Sequence, residues 1–125
     1  MPVVTAADKR RTETPNATMI TLASPTLGGS AGLSLWRVSM RAGARGPQHV
    51  VDSEQLWTVL AGAVTITLGG EAHDLRSGDT IVVPAGVERQ VEAVRPAQLL
   101  VCGYGTASVS VPGEEAPRGT PPWIA

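Results

Sequence analysis

Phenylalanine is absent from this 125-residue chain, lysine occurs once, at Lys9, and cysteine once, at Cys102. A lone cysteine excludes an internal disulfide, which points to a reducing compartment, the cytoplasm. The start MPVVTAADKRR lacks the apolar core of a secretory signal, so the glycosylation pattern Asn16-Ala17-Thr18 has no secretory context. No apolar run approaches the roughly 20 residues that a membrane-spanning helix needs, so no membrane partner is expected. Charge of either sign is not in excess: ten Lys plus Arg against 11 Asp plus Glu leave a net charge of -1. Without a basic face to neutralise phosphates, nucleic acid is not an expected partner either.

Glycine and proline, by contrast, are plentiful, with 14 and 10 residues respectively. Long helices do not tolerate that load, which leaves an all-β reading. The length suits a single domain, 1–125, with one core. Hydrophobic residues at 42% and charged residues at 17% place the chain among globular proteins.

Short apolar runs between turn signals mark the expected strands. Ala17 to Leu22 is the first, and the polar stretch before it, residues 1–16, reads as a flexible, irregular arm. Gly32 to Arg41 alternates Trp36, Val38 and Met40 with Arg37, Ser39 and Arg41, a strand with one apolar face. Residues 63–68 and 71–75 flank Gly69-Gly70, a pair that accepts the positive φ angles of a tight hairpin. Further strands are expected over 79–83, 87–93, 98–104 and 107–111. Cys102 reads as buried filler in an apolar strand. Residues 112–125 form a Pro- and Gly-rich tail, in which Trp123 is expected to pack on the body of the protein or on a neighbouring subunit. No internal repeat is present.

Two stretches have spaced landmarks. In GARGPQHVVDSEQLWTVLAG, five residues separate Gly43 from His49, Val51 follows, three residues lead to Gln55, and six more reach Gly62. In GDTIVVPAGVER, five residues separate Gly78 from Pro84, Gly86 follows, and two residues lead to position 89. Side chains alternate along a strand, so His49 and Val51 share a face, as do Gln55, Trp57 and Val59.

These spacings resemble the two motifs of the cupin superfamily, G-x5-H-x-H-x3,4-E-x6-G and G-x5-P-x-G-x2-H-x3-N. The resemblance implies a single antiparallel jelly-roll β-barrel. It also implies homodimers, in which an N-terminal strand is often lent to the partner. In metal-binding cupins the motifs supply three His and one Glu. Here His49 matches the first ligand position, while Val51, Gln55 and Arg89 replace the second His, the Glu and the third His, and Ala93 replaces the closing Asn.

The set is thus degenerate, and no cofactor is expected. The alternative is a divalent transition metal held by His49 and Gln55, with Glu54 if the strand bulges to turn it inward. Amide oxygens are weak donors to first-row transition metals, and a guanidinium repels a divalent cation. Arg89 suits a bidentate grip on a carboxylate or phosphate, or else a salt bridge with Glu88 or Glu92. His49 reads as ligand or general base, or as a hydrogen-bonded vestige of a metal site. Trp57, Val51 and Val59 would wall a small-molecule cavity or serve only as core. His73 reads as a packing or surface side chain.

Three functions fit these residues. One is a metal-independent isomerase, cyclase or lyase acting on an anionic or polyketide-like metabolite, with His49 exchanging a proton and Arg89 and Gln55 binding substrate. The second is a metal-dependent dioxygenase or sugar-acid-processing enzyme. The third is a binding or sensing module without turnover.

Overall fold

The computed structural model describes residues 3–125, which form eleven strands and one 3-10 turn, Ala6–Asp8. In chain order the strands are β1 (Arg10–Glu13), β2 (Thr18–Ala23), β3 (Leu33–Met40), β4 (Val50–Val51), β5 (Gln55–Ala61) and β6 (Ala63–Leu68). β7 (Glu71–Arg76), β8 (Thr80–Val83), β9 (Arg89–Ala93), β10 (Ala97–Tyr104) and β11 (Val109–Ser110) complete them. Six strands form one antiparallel sheet in the order β1-β2-β3-β10-β5-β8, three form a second in the order β7-β6-β9, and β11 pairs with β4. This is the expected jelly roll.

The segment leading into β4 is stitched to β9. Gly43 N–H donates to Ala93 O at 2.8 Å and Gly46 N–H to Val91 O at 2.9 Å. His49 and Arg89 exchange both backbone hydrogen bonds, at 3.0 and 2.9 Å. The three-stranded sheet is thereby extended, and the two sheets close on one core. Trp36, Val59, Leu99 and Val101 come to it from one side, Val64, Ile66, Leu75 and Val91 from the other. In β3 the alternation is as regular as its sequence, with Ser34, Trp36, Val38 and Met40 buried.

Two turns need glycine. Gly69 and Gly70 join β6 to β7 with φ of 53° and 86°, the left-handed conformations that an L side chain resists. Gly62 lies between β5 and β6 at φ 87°, and a Cβ there would stand 2.1 Å from Pro96 O. The first motif's last glycine is therefore dictated by both dihedral angle and space.

Two expectations are corrected, and the one for Trp123 is met. Residues 10–13, read as part of an irregular arm, form β1 and pair with β2 of the same chain through Arg10↔Thr21 to Glu13↔Thr18. Cys102 is not interior filler. Leu99, Val101 and Gly103 face inward, so the period of two turns Cys102 outward, half-buried between Leu35 and Leu56 on the flanking strands. The tail folds back on the barrel: Thr21 Oγ1 donates to Trp123 O at 2.7 Å, Ser24 Oγ to Ala125 O at 2.8 Å, and Ser34 Oγ to Ile124 O. Those three hydroxyl residues are fully buried, and the tail carbonyls are their partners. Trp123 thus packs on its own barrel. No helix among the described residues is long and apolar enough to cross a membrane.

Candidate functional site

The barrel holds a partly open cavity of about 580 Å³, a size suited to a small organic molecule. Its walls are largely apolar. Trp36, Val38 and Met40 of β3 face Val91 of β9, and Val51 and Trp57 come from the first motif. The strapped tail closes one side with Arg118, Trp123 and Ile124. All three tryptophans of the chain line this space.

Two polar groups of the first motif enter it, His49 and Gln55. The backbone pairing of His49 with Arg89 puts both side chains on one face of their sheet. Gln55 begins β5 on the opposite sheet, beside Gly103 of β10. A Cβ on Gly103 would come within 3.1 Å of Gln55 Cγ and 3.4 Å of Trp36 Cη2, so this glycine makes room for the amide and the indole.

Arg89 crosses between the sheets. Its Nη1 donates to Gln55 Oε1 at 2.8 Å, and Trp57 Nε1 donates to the same oxygen at 3.1 Å. Both lone pairs of that oxygen are engaged, which fixes the amide's orientation and leaves its NH2 group as the free end. Arg89 is only 1% exposed, and its Nε and Nη2 have no acceptor among the described residues. The expected salt bridges are not formed. Glu92 lies 3.6 Å from Arg45, and Glu88 is exposed. Nor does the guanidinium reach the cavity wall as an anion anchor; Gln55 stands in front of it.

The charge of Arg89 is felt at His49. Burial first, then the Arg89 guanidinium and Arg118, lower the imidazole pKa from 6.5 to about 4. The ring is neutral at physiological pH, and its Nδ1 is buried without a partner. Burial also lowers the Arg89 pKa, to about 10, which still leaves it charged.

The other candidates divide. Glu54 is exposed outside the cavity, so the bulge that would have turned it inward is not present. Val59 is fully buried on the face of Gln55 and Trp57 but belongs to the core beyond the cavity. His73 is half-buried on β7, away from this space. Arg118 and the hydroxyls that hold the tail escaped sequence reasoning, although Ser34 carried a signal: it occupies an inward position of β3, where a polar group needs a partner.

Residues 36–103 match the cupin domain family, more than half of the chain. The chain belongs to the cupin family. Salicylate 1,2-dioxygenase from Pseudoaminobacter salicylatoxidans, solved as an adduct with gentisate, superposes on this cupin with a TM-score of 0.72 at 23% identity, over 84% of this chain and 31% of that one. This cupin therefore spans about a third of the dioxygenase's length. An RmlC-like cupin from Shewanella frigidimarina gives 0.70 at 17% identity, over 82% and 88% of the two chains. KdgF from Halomonas sp. gives 0.70 at 21% identity, over 82% and 91%. At these identities the likeness concerns the fold. No curated protein matches the sequence.

The four motif positions, His49, Val51, Gln55 and Arg89, offer one imidazole and no carboxylate. No group of three or more His, Cys, Asp or Glu side chains suited to a metal ion occurs among the described residues. Of the two remaining donors, Gln55 Oε1 is already occupied by two N–H groups, one from a cation.

Proposed function

We propose that this cupin binds a largely apolar, carbonyl- or enol-bearing metabolite of polyketide-like character in the barrel and acts on it by metal-independent proton transfer, as an isomerase, cyclase or lyase does. The observation that carries the reading is the cavity itself: an apolar chamber in which one neutral imidazole and one oriented amide are the polar groups of the motif strands. The Gln55 NH2 group supplies a hydrogen bond to a carbonyl oxygen, and the His49 imidazole takes the proton from the adjacent carbon. At a pKa of about 4 the imidazole is in its basic form at physiological pH but is a weak base. Negative charge developing on the substrate offsets the two arginines and raises its basicity at the moment of transfer. The engaged Gln55 oxygen argues against a dioxygenase or metal-dependent sugar-acid chemistry. A single half-buried cysteine suits the cytoplasm.

Hydrogen–deuterium exchange in 2-tetralone, an apolar ketone, tests the reading. Tryptophan quenching should report binding, and proton NMR in D2O should show protein-dependent exchange at C1, lost in His49→Gln. Binding without exchange would make the protein a binding or sensing module. Neither binding nor exchange, across this and related aryl ketones, would refute the proposal.

A further inference from the structure

Arg89 is a buried cation without a counter-ion among the described residues. Its one side-chain partner is a neutral amide, its Nε and Nη2 are orphaned, and the ion pairs among the described residues are made by Arg11, Arg45 and Arg118 instead. An unpaired charge in the interior is strongly unfavourable, and a purely structural tie between two sheets is made more cheaply by apolar side chains. The arrangement around it is directional. Arg89 Nη1 and Trp57 Nε1 converge on Gln55 Oε1, so an amide flip would set N–H groups against N–H groups. The Gln55 NH2 group has no acceptor among the described residues, and Gln55 is part of the cavity wall.

We propose that Arg89 is a positioning residue: together with Trp57 it locks the Gln55 amide with its NH2 group toward the cavity, forming an oxygen subsite that prefers the ionised form of a phenol, enol or carboxylic acid. The guanidinium charge stands directly behind the amide and is left to be balanced by the ligand. Burial first, and then the Arg89 charge, depress the pKa of the neighbouring His49. Arg118 on the tail also lines the cavity, but its charge is paired with Glu114. The inference deepens the proposed function and rests on the cavity being a ligand site.

4-Nitrophenol tests it, because its absorption reports its own ionisation and its entry quenches the cavity tryptophans. In the wild-type protein the bound probe should ionise about one pH unit or more below the free probe, and should bind more tightly above that pH than the uncharged 4-nitroanisole. Arg89→Met should abolish the shift while 4-nitroanisole still binds. Gln55→Glu keeps Arg89 in place but neutralises it, so it should abolish the shift too, and it decides the matter where Arg89→Met does not fold. A role confined to structure would alter stability and leave the ionisation of the bound probe alone. Unshifted ionisation in the wild-type complex, or a shift that survives both substitutions, overturns the proposal and leaves the cavity reading standing. Failure of both probes to quench the wild-type protein overturns the cavity reading, and the proposal with it.

Discussion

His49 should make the stability of this protein fall steeply in mild acid. In the unfolded chain its imidazole takes up a proton near pH 6.5, whereas in the folded protein burial, Arg89 and Arg118 hold the pKa at about 4. Above pH 6.5 both states are neutral and the residue contributes no pH dependence. Between 6.5 and 4 the unfolded state binds one proton more than the folded state, so the unfolding free energy drops by about 1.4 kcal/mol per pH unit. Across the whole window the loss is about 3 kcal/mol, a large share of the 5 to 15 kcal/mol typical of a domain. Below about pH 4 both states are protonated and the dependence from this residue ends. Urea unfolding followed by tryptophan fluorescence at pH 7, 5.5 and 4 measures the loss, and His49→Gln isolates it from the carboxylates, which titrate in both proteins. The wild-type curve should fall by about 3 kcal/mol more than the variant's. Parallel curves would refute the reasoning, because they would mean that the imidazole is solvated or paired in the folded state.

Three further outcomes are expected. Gly62→Ala should destabilise the fold by roughly 2 to 4 kcal/mol in the same urea assay, since it combines a left-handed φ with a Cβ set against Pro96 O; a loss below about 0.5 kcal/mol would show that the turn relaxes freely. The wild-type protein dialysed without added metal should hold no stoichiometric nickel, manganese, iron or zinc, whereas the triple change Val51→His, Gln55→Glu and Arg89→His should bind nickel by calorimetry. Metal that survives dialysis in the wild type and is lost in His49→Ala would count against the amide-lock account of Gln55. The protein should sediment as a homodimer, because Leu35, Cys102, Leu56 and Val82 run as an apolar row across four strands on the outer face of the large sheet, with Leu33 and Tyr104 beside them. Leu56→Glu should shift it to monomer, and a monomeric wild type at micromolar concentration would contradict the expectation.

The strands and turns were legible in the sequence because their demands are local, and the jelly roll followed from the resemblance to the cupin motifs. Each glycine of the two motifs answers a turn within a few residues, and the period of two in β3 and β5 follows from the backbone alone. The same parity was available for Cys102, whose outward direction follows from Leu99 and Val101; the apolar composition of β10 concealed it. β1 was hidden for a different reason. Arg10 to Glu13 are polar on both faces, and what orders them is pairing with β2 and the contact of Arg10 Nη1 with Pro122 O at 2.7 Å, more than a hundred residues along the chain. The replaced positions, Val51, Gln55 and Arg89, were picked out by the resemblance to the cupin motifs. Their arrangement could not be, since Arg89 and Gln55 lie 34 residues apart on opposite sheets. Sequence therefore determined which residues face inward. Which of them touch each other, and that the amide stands between the guanidinium and the cavity, was decided only when the sheets closed, because a side chain's partners depend on the distance between layers and not on the order of the chain.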